Sequence, residues 1–130
     1  MDDLQKSELV IAKILNHLME LGIQRGLVDF TEVIDDPALE PFVSSCFYWL
    51  DAEGIVRARN YAETKDSFSV VSPSLTSHGY ELLGKSFQLK ESKVSMSQAV
   101  KEVSSGEQSY SQYGDFFGGL LGGFTKSLGS

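Results

Sequence analysis

Cysteine and proline are scarce in this chain of 130 residues, which has one cysteine and three prolines. A single cysteine excludes an internal disulfide, and no cluster of cysteine and histidine has the spacing of a zinc site. Residues 1–3 are acidic or neutral and do not resemble the basic, then apolar, start of a secretory signal. No apolar run approaches the ~20 residues of a membrane-spanning helix. We therefore expect a cytoplasmic protein without a metal or other cofactor.

Positive charge is the second scarcity. Eleven lysines and arginines stand against 18 aspartates and glutamates, so the net charge is −7. Residues 1–90 alone hold 14 acidic and 8 basic side chains, a net charge of −6. Because DNA-binding proteins gain most of their affinity from basic side chains that neutralise phosphates, this balance argues against DNA as the main partner. The hydrophobic content of 42% suits one small folded domain with an appendage.

Side chains that catalyse reactions are isolated from one another. Cys46 lies in an apolar helical stripe, where cysteine is usually a small buried hydrophobe. His17 and His78 stand alone, and Asp35 and Asp36 precede a proline, as in a turn. No glycine-rich loop has the spacing of a phosphate-binding motif. We predict that the protein is not an enzyme and that it has no small-molecule substrate.

A stripe of apolar residues predicts a helix over residues 39–54. Pro41 fits its first turn, where the missing N–H is not needed. Gly54 fits the left-handed position that ends a helix. The stripe consists of Leu39, Phe42, Val43, Cys46, Phe47 and Leu50.

Two strands and a further helix are predicted after Gly54. Residues 55–59 have the extended character of a strand, residues 68–72 are its predicted partner, and the polar residues 60–67 are the predicted loop. Thr76 is placed to cap the next helix. Upstream, we predict a long helix over residues 4–25 and a brief second helix over residues 31–35.

The runs YWLDAEGIV (residues 48–56) and LTSHGYELL (residues 75–83) resemble the second half of winged-helix domains. In these regulators a recognition helix leads into a β-hairpin, the wing. The resemblance implies a fold that is mainly α with a small β-hairpin, and a winged-helix-like domain over residues 1–88. Residues 89–130 are then a serine-rich helix, a linker and a glycine- and phenylalanine-rich C-terminal stretch.

The nucleic-acid contacts that the resemblance implies lie on the recognition helix and on the wing. They are Ser44, Ser45, Tyr48, Arg57, Arg59 and Lys65. Glu40 and Asp51 on the same helix would repel phosphates, and no side chain of this helix is suited to bidentate base contacts. Two interpretations stay open: DNA contact led by the wing, or a protein-binding winged helix whose wing arginines pair with nearby carboxylates.

A short amphipathic helix is predicted after residue 95. Residues 86–113 contain eight serines and few large apolar groups. Within them, Met96, Ala99, Val100 and Val103 have helical spacing, and Ser95 followed by Gln98 resembles a capping box. This helix can pack on the domain or on a partner. Residues 106–113 are predicted to be a linker.

Residues 114–128, here called the C-terminal segment, separate into an apolar and a glycine side on a helical wheel. The apolar side carries Phe116, Phe117, Leu120, Leu121, Phe124 and Leu128, and Gly118 and Gly122 lie on the other side. Each interior glycine costs ~1 kcal/mol relative to alanine, so this helix needs a partner surface.

Three interpretations of the C-terminal segment are open. It can self-associate or dock on a protein partner, fold back on its own domain as a flexible tail, or insert into a membrane surface. The first predicts a non-enzymatic interaction or regulatory module, and we favour it. DNA binding through the wing and membrane anchoring by the segment are the alternative functions.

Overall fold

The structure is a computed structural model that describes the backbone of residues 2–89 and 92–106 and the side chains of residues 2–86 and 93–106. In this part of the chain, five α-helices are combined with three small antiparallel sheets. The helices are α1 (Asp3–Leu21), α2 (Phe30–Ile34), α3 (Val43–Ala52), α4 (Ser77–Leu83) and α5 (Met96–Ser105). The strands are β1 (Leu27–Asp29), β2 (Val56–Arg57), β3 (Asn60–Glu63), β4 (Phe68–Val71), β5 (Ser74–Leu75), β6 (Ser86–Leu89) and β7 (Ser92–Ser95). The fold class is therefore mixed α and β, with more strand than the predicted single hairpin.

Helix α1 begins and ends at residues that satisfy its terminal backbone groups. The Asp2 carboxylate accepts a hydrogen bond from the Gln5 N–H at 2.8 Å, and the Gln5 side chain accepts one from the Asp2 N–H at 2.9 Å. This reciprocal pair is a capping box. Gly22 follows the helix at φ 68°, so α1 ends before the predicted residue 25.

Helix α3 lies where the apolar stripe predicts it. A 3₁₀ turn over Glu40–Phe42 contains Pro41 and leads directly into α3. Gly54, at φ 75°, follows its end. Upstream, the Asp29 carboxylate accepts a hydrogen bond from the Thr31 N–H at 3.0 Å and so caps the short helix α2.

The predicted pairing of the two wing strands is wrong. Residues 55–59 do not pair with residues 68–72 along their length: β2 pairs with β5, and β4 pairs with β3 on one side and β1 on the other. Residues 60–63, predicted as loop because they are polar, form the edge strand β3. An edge strand exposes much of its surface to water, so polar side chains there do not oppose strand formation.

Helix α4 is held against the end of α3 by its cap. The Thr76 hydroxyl accepts a hydrogen bond from the Gly79 N–H at 3.0 Å and lies 3.1 Å from the Ile55 carbonyl oxygen. The Thr76 N–H also donates to that carbonyl at 3.0 Å. One threonine therefore fixes both the start of α4 and its position on the β2–β5 pair.

The β6–β7 hairpin was not predicted, whereas α5 was. Ser95 ends β7 and caps α5, accepting a hydrogen bond from the Gln98 N–H at 3.1 Å. The predicted apolar face of α5, including Ala99 and Val100, is buried, and this helix packs against α1. The Lys13 ammonium donates to the Ser104 carbonyl oxygen at 3.1 Å, which places the end of α5 beside the middle of α1.

The core lies between α1, α3, α5 and the β1–β4–β3 sheet. Phe30 and Phe47 are fully buried, and their ring centroids are 5.2 Å apart. Phe47 also contacts Phe68 of β4, at 5.8 Å between ring centroids. Aromatic packing thus joins the helices to the sheet.

Candidate functional site

An apolar groove opens on the surface between the first half of α1 and the length of α3. It has a volume of about 340 Å³. Leu4, Ser7 and Ile11 line it from α1, and Phe42, Ser45, Cys46 and Trp49 line it from the other side. We call it the α1–α3 groove.

Helical spacing creates the two walls of the groove. Leu4 and Ile11 lie two turns apart on α1, and Phe42 and Trp49 have the same separation across the start and body of α3. Leu4, near the start of α1, is 62% exposed. A large apolar side chain that stays open to water beside an apolar depression marks a surface suited to a partner.

Small side chains also line the groove. Ser7 and the exposed Ser45 line the groove together with the buried Cys46. The Cys46 thiol donates to the Ser7 carbonyl oxygen at 3.7 Å. The lining is mainly apolar and is suited to apolar side chains.

Burial raises the pKa of the Cys46 thiol to about 11, and the hydrogen bond to Ser7 opposes this rise only in part. We expect Cys46 to react with a thiol reagent at pH 8 about 100-fold more slowly than a thiol of pKa 9.0, from its smaller thiolate fraction alone. The rate should rise about tenfold per pH unit up to the thiol pKa. Stopped-flow alkylation checks this, with the urea-unfolded chain as the reference. Equal rates for the folded and unfolded chain at pH 8 would contradict it.

The other side of α3 is covered by the β3–β4 hairpin. The ring of Tyr48 lies 4.9 Å from that of Tyr61 on β3 and 5.4 Å from that of Phe68 on β4, centroid to centroid. The Tyr48 hydroxyl donates to Glu63 at 3.2 Å, and the Tyr61 hydroxyl donates to Asp51. Burial and the neighbouring Asp51 carboxylate raise the pKa of Tyr61, so it remains a neutral donor. The hairpin and α3 thus hold each other through polar side chains of the predicted recognition surface.

The six predicted nucleic-acid contacts are divided among different surfaces. Ser45 lines the α1–α3 groove, whereas Tyr48 packs on the hairpin. Arg57 is exposed on β2, where its Nε donates to the Ser74 hydroxyl at 3.2 Å, and Arg59 is exposed between β2 and β3.

Ser44 and Lys65 are the two predicted contacts that the structure brings to one cavity. This polar cavity of about 330 Å³ lies between the start of α3 and the β3–β4 loop. Three carboxylate residues, Glu40, Glu63 and Asp66, line it as well. Their negative charge makes the cavity unfavourable for a phosphate beside Lys65.

The predicted contacts of the C-terminal segment lie outside the described residues. Within the described residues, no group of three or more histidine, cysteine or carboxylate side chains is placed to hold a metal ion. Among these same residues, no helix combines the length and apolar character needed to cross a membrane.

Sequence reasoning overlooked Leu4 and Trp49 as site residues. Trp49 follows Phe42 by seven positions, and Leu4 precedes Ile11 by seven, so each lies on a recognisable apolar stripe. The sequence does not show that these two stripes face each other in the folded protein.

Comparisons with protein-family models, with curated proteins and with solved structures gave no match. Because no relative is known from these comparisons, the protein is classified by its fold alone. It is a small mixed α and β domain with an apolar groove between two helices. Its function is argued from that surface.

Proposed function

We propose that this protein is a non-enzymatic interaction module of winged-helix type, which assembles through its C-terminal segment. The observation that carries the proposal is the open α1–α3 groove, an apolar surface next to a well-packed core. Helix-in-groove docking is a common way in which an amphipathic segment recognises such a surface.

The pairing of β1 with β4 supports the winged-helix part of the proposal. It ties the β3–β4 hairpin to the strand between α1 and α2, so that the hairpin stands beside α3 as a wing would. The hydrogen bonds from Tyr48 to Glu63 and from Tyr61 to Asp51 support protein binding over base reading, since they engage the Tyr48 hydroxyl and the Asp51 carboxylate of α3 within the domain. The buried free thiol of Cys46 is compatible with the proposed cytoplasmic location.

DNA binding through the wing is a second proposal with less support. The exposed side chains of Arg57, Arg59 and Lys65 favour it. The carboxylates around Lys65 and the net charge of −7 weigh against it.

The proposal predicts that the full chain self-associates and that polar substitutions on the apolar side of the C-terminal segment abolish this. The variant carries Phe117→Ser, Leu120→Ser and Leu121→Ser. Sedimentation velocity should give a mass of at least twice 14.3 kDa for the wild type and a monomer for the variant. Self-association should be lost because three of the six apolar side chains on this side of the segment become polar and no longer favour burial.

A matched control carries Gly119→Ser, Thr125→Ser and Lys126→Ser, three serine substitutions away from the apolar side. It should assemble like the wild type. A wild-type chain that remains monomeric at all concentrations would rule out self-association.

A further inference from the structure

We propose that the α1–α3 groove is the receptor for the C-terminal segment of a second copy of this chain. This inference rests on the proposed function and adds to it the surface that is bound. It also gives a role to Trp49 and Leu4, which the packing of the described domain leaves partly exposed.

The groove and the segment match in size and chemistry. A cavity of about 150 Å³ lined by apolar side chains holds a benzene molecule, so the groove's volume of about 340 Å³ has room for about two aromatic rings. The segment offers Phe116 and Phe117 next to each other and Phe124 two turns later.

Charge at the rim is also complementary. The Lys6 ammonium lies 6.0 Å from the centre of the Phe42 ring, at the edge of the groove. The segment carries Asp115 directly before Phe116. When the Phe116 ring enters the groove, the Asp115 carboxylate is carried toward Lys6, which favours one orientation of the segment.

The position of α5 favours a second copy over the segment's own domain. The end of α5 lies beside Lys13, whereas the groove is lined by Ile11, and these two residues point about 200° apart around α1. Residues 107–113 span at most about 25 Å, and a helix with its side chains is about 10–12 Å wide. The path from the end of α5 around α1 to the groove of the same copy would use most of this linker. The segment of a neighbouring copy does not have to follow that path.

A reciprocal exchange also gives an interface of sufficient area. Buried phenylalanine side chains contribute roughly 150–250 Å² each, so the two that one groove has room for bury roughly 300–500 Å². Two segments in two grooves double this value. The total then approaches the roughly 1,200–2,000 Å² of stable protein interfaces once the groove walls are included.

The first test changes the groove in the full chain. Leu4→Glu and Ser45→Glu, made separately, each place a negative charge on an exposed position in the groove. Each should weaken dimerisation about tenfold or more, because docking would bury that charge against apolar side chains. Ile23→Glu is the matched control, since Ile23 is an exposed apolar residue (76%) outside the groove, and it should dimerise like the wild type. Far-UV circular dichroism verifies that each variant is folded.

The second test mixes two defective chains. One has a blocked groove (Leu4→Glu with Ser45→Glu) and an intact segment. The other has the serine substitutions at Phe117, Leu120 and Leu121 of the segment and an intact groove. Each chain should be monomeric alone. The mixture should form a heterodimer in which the intact segment of the first chain binds the intact groove of the second. Trp49 is the only tryptophan in the chain and lines the groove, so its emission should shift to shorter wavelength when the two chains are mixed.

Each outcome supports or overturns the inference. A dimer that the serine variant abolishes and the groove variants leave intact means that the segment docks elsewhere, which overturns the inference and keeps the proposed function. A wild-type monomer whose Trp49 emission lies at shorter wavelength than that of the serine variant means that the segment occupies its own groove, which overturns docking between copies. A wild-type monomer whose Trp49 emission equals that of the serine variant overturns both proposals. A heterodimer that forms together with the Trp49 emission shift supports both self-association through the segment and docking of the segment in the groove of another copy.

Discussion

Replacing Phe47 by alanine is expected to lower the free energy of unfolding by about 3–5 kcal/mol. The Phe47 side chain is fully buried, and its ring contacts those of Phe30, Phe68 and Tyr61 at centroid distances of 5.2, 5.8 and 5.8 Å. Alanine would leave a cavity where α3 meets the sheet, and the surrounding rings would relax only in part. Since small domains have total stabilities of about 5–15 kcal/mol, this change removes a large share.

Urea unfolding followed by circular dichroism measures the effect. Phe47→Leu keeps most of the buried volume and should cost less than about 1.5 kcal/mol. Tyr80→Ala is the surface control, because Tyr80 is 42% exposed, and its cost should stay within about 1 kcal/mol. Similar losses for Phe47→Ala and Tyr80→Ala would show that Phe47 is not at the centre of the core.

Replacing Gly79 by alanine is expected to cost about 1–3 kcal/mol, although alanine is the better helix former. Gly79 is buried in α4, and a Cβ atom built on it would lie far inside contact distance of the Ile55 carbonyl oxygen. That oxygen accepts the hydrogen bond from the Thr76 N–H at 3.0 Å. Moving it away would disturb the cap of α4 and the β2–β5 pair together.

Gly84→Ala is the matched control for this prediction. Gly84 follows the same helix at φ −82°, and the nearest atoms to a Cβ built there are carbonyl oxygens at 3.5 Å, an ordinary contact distance. Alanine at this position should therefore be neutral or stabilise the protein by up to about 1 kcal/mol. Thermal unfolding of the two variants in parallel decides the comparison. A stability of Gly79→Ala equal to that of Gly84→Ala would contradict the close approach of α4 to Ile55.

The helices could be predicted from the sequence because their determinants are local. The apolar stripe of α3, its stop at Gly54, the Thr76 cap of α4 and the Ser95 cap of α5 are all found in the structure. Backbone hydrogen bonds in a helix join residues four apart. A short stretch of sequence therefore contains the residues that determine where a helix begins and ends.

The strand pairing could not be predicted in the same way. Val56 pairs with Leu75, and Tyr61 pairs with Val70, partners that are separated by nine or more positions. The polar residues 60–63 gave no apolar alternation, because β3 is an edge strand. The sequence alone favours the nearest apolar run as a partner, and that choice was wrong.

The candidate site likewise combines features that the sequence predicts with features that only the tertiary structure shows. The sequence by itself determined the apolar stripe of residues 39–54, which includes Phe42 and Cys46 of the groove, and it determined the apolar side of the C-terminal segment. Only the tertiary structure decided that the two walls face each other around small side chains, and that the β3–β4 hairpin covers the opposite side of α3. The reason is physical: the spacing of residues along a helix fixes which side chains share a face, whereas the packing of the whole core decides which faces meet and which stay open.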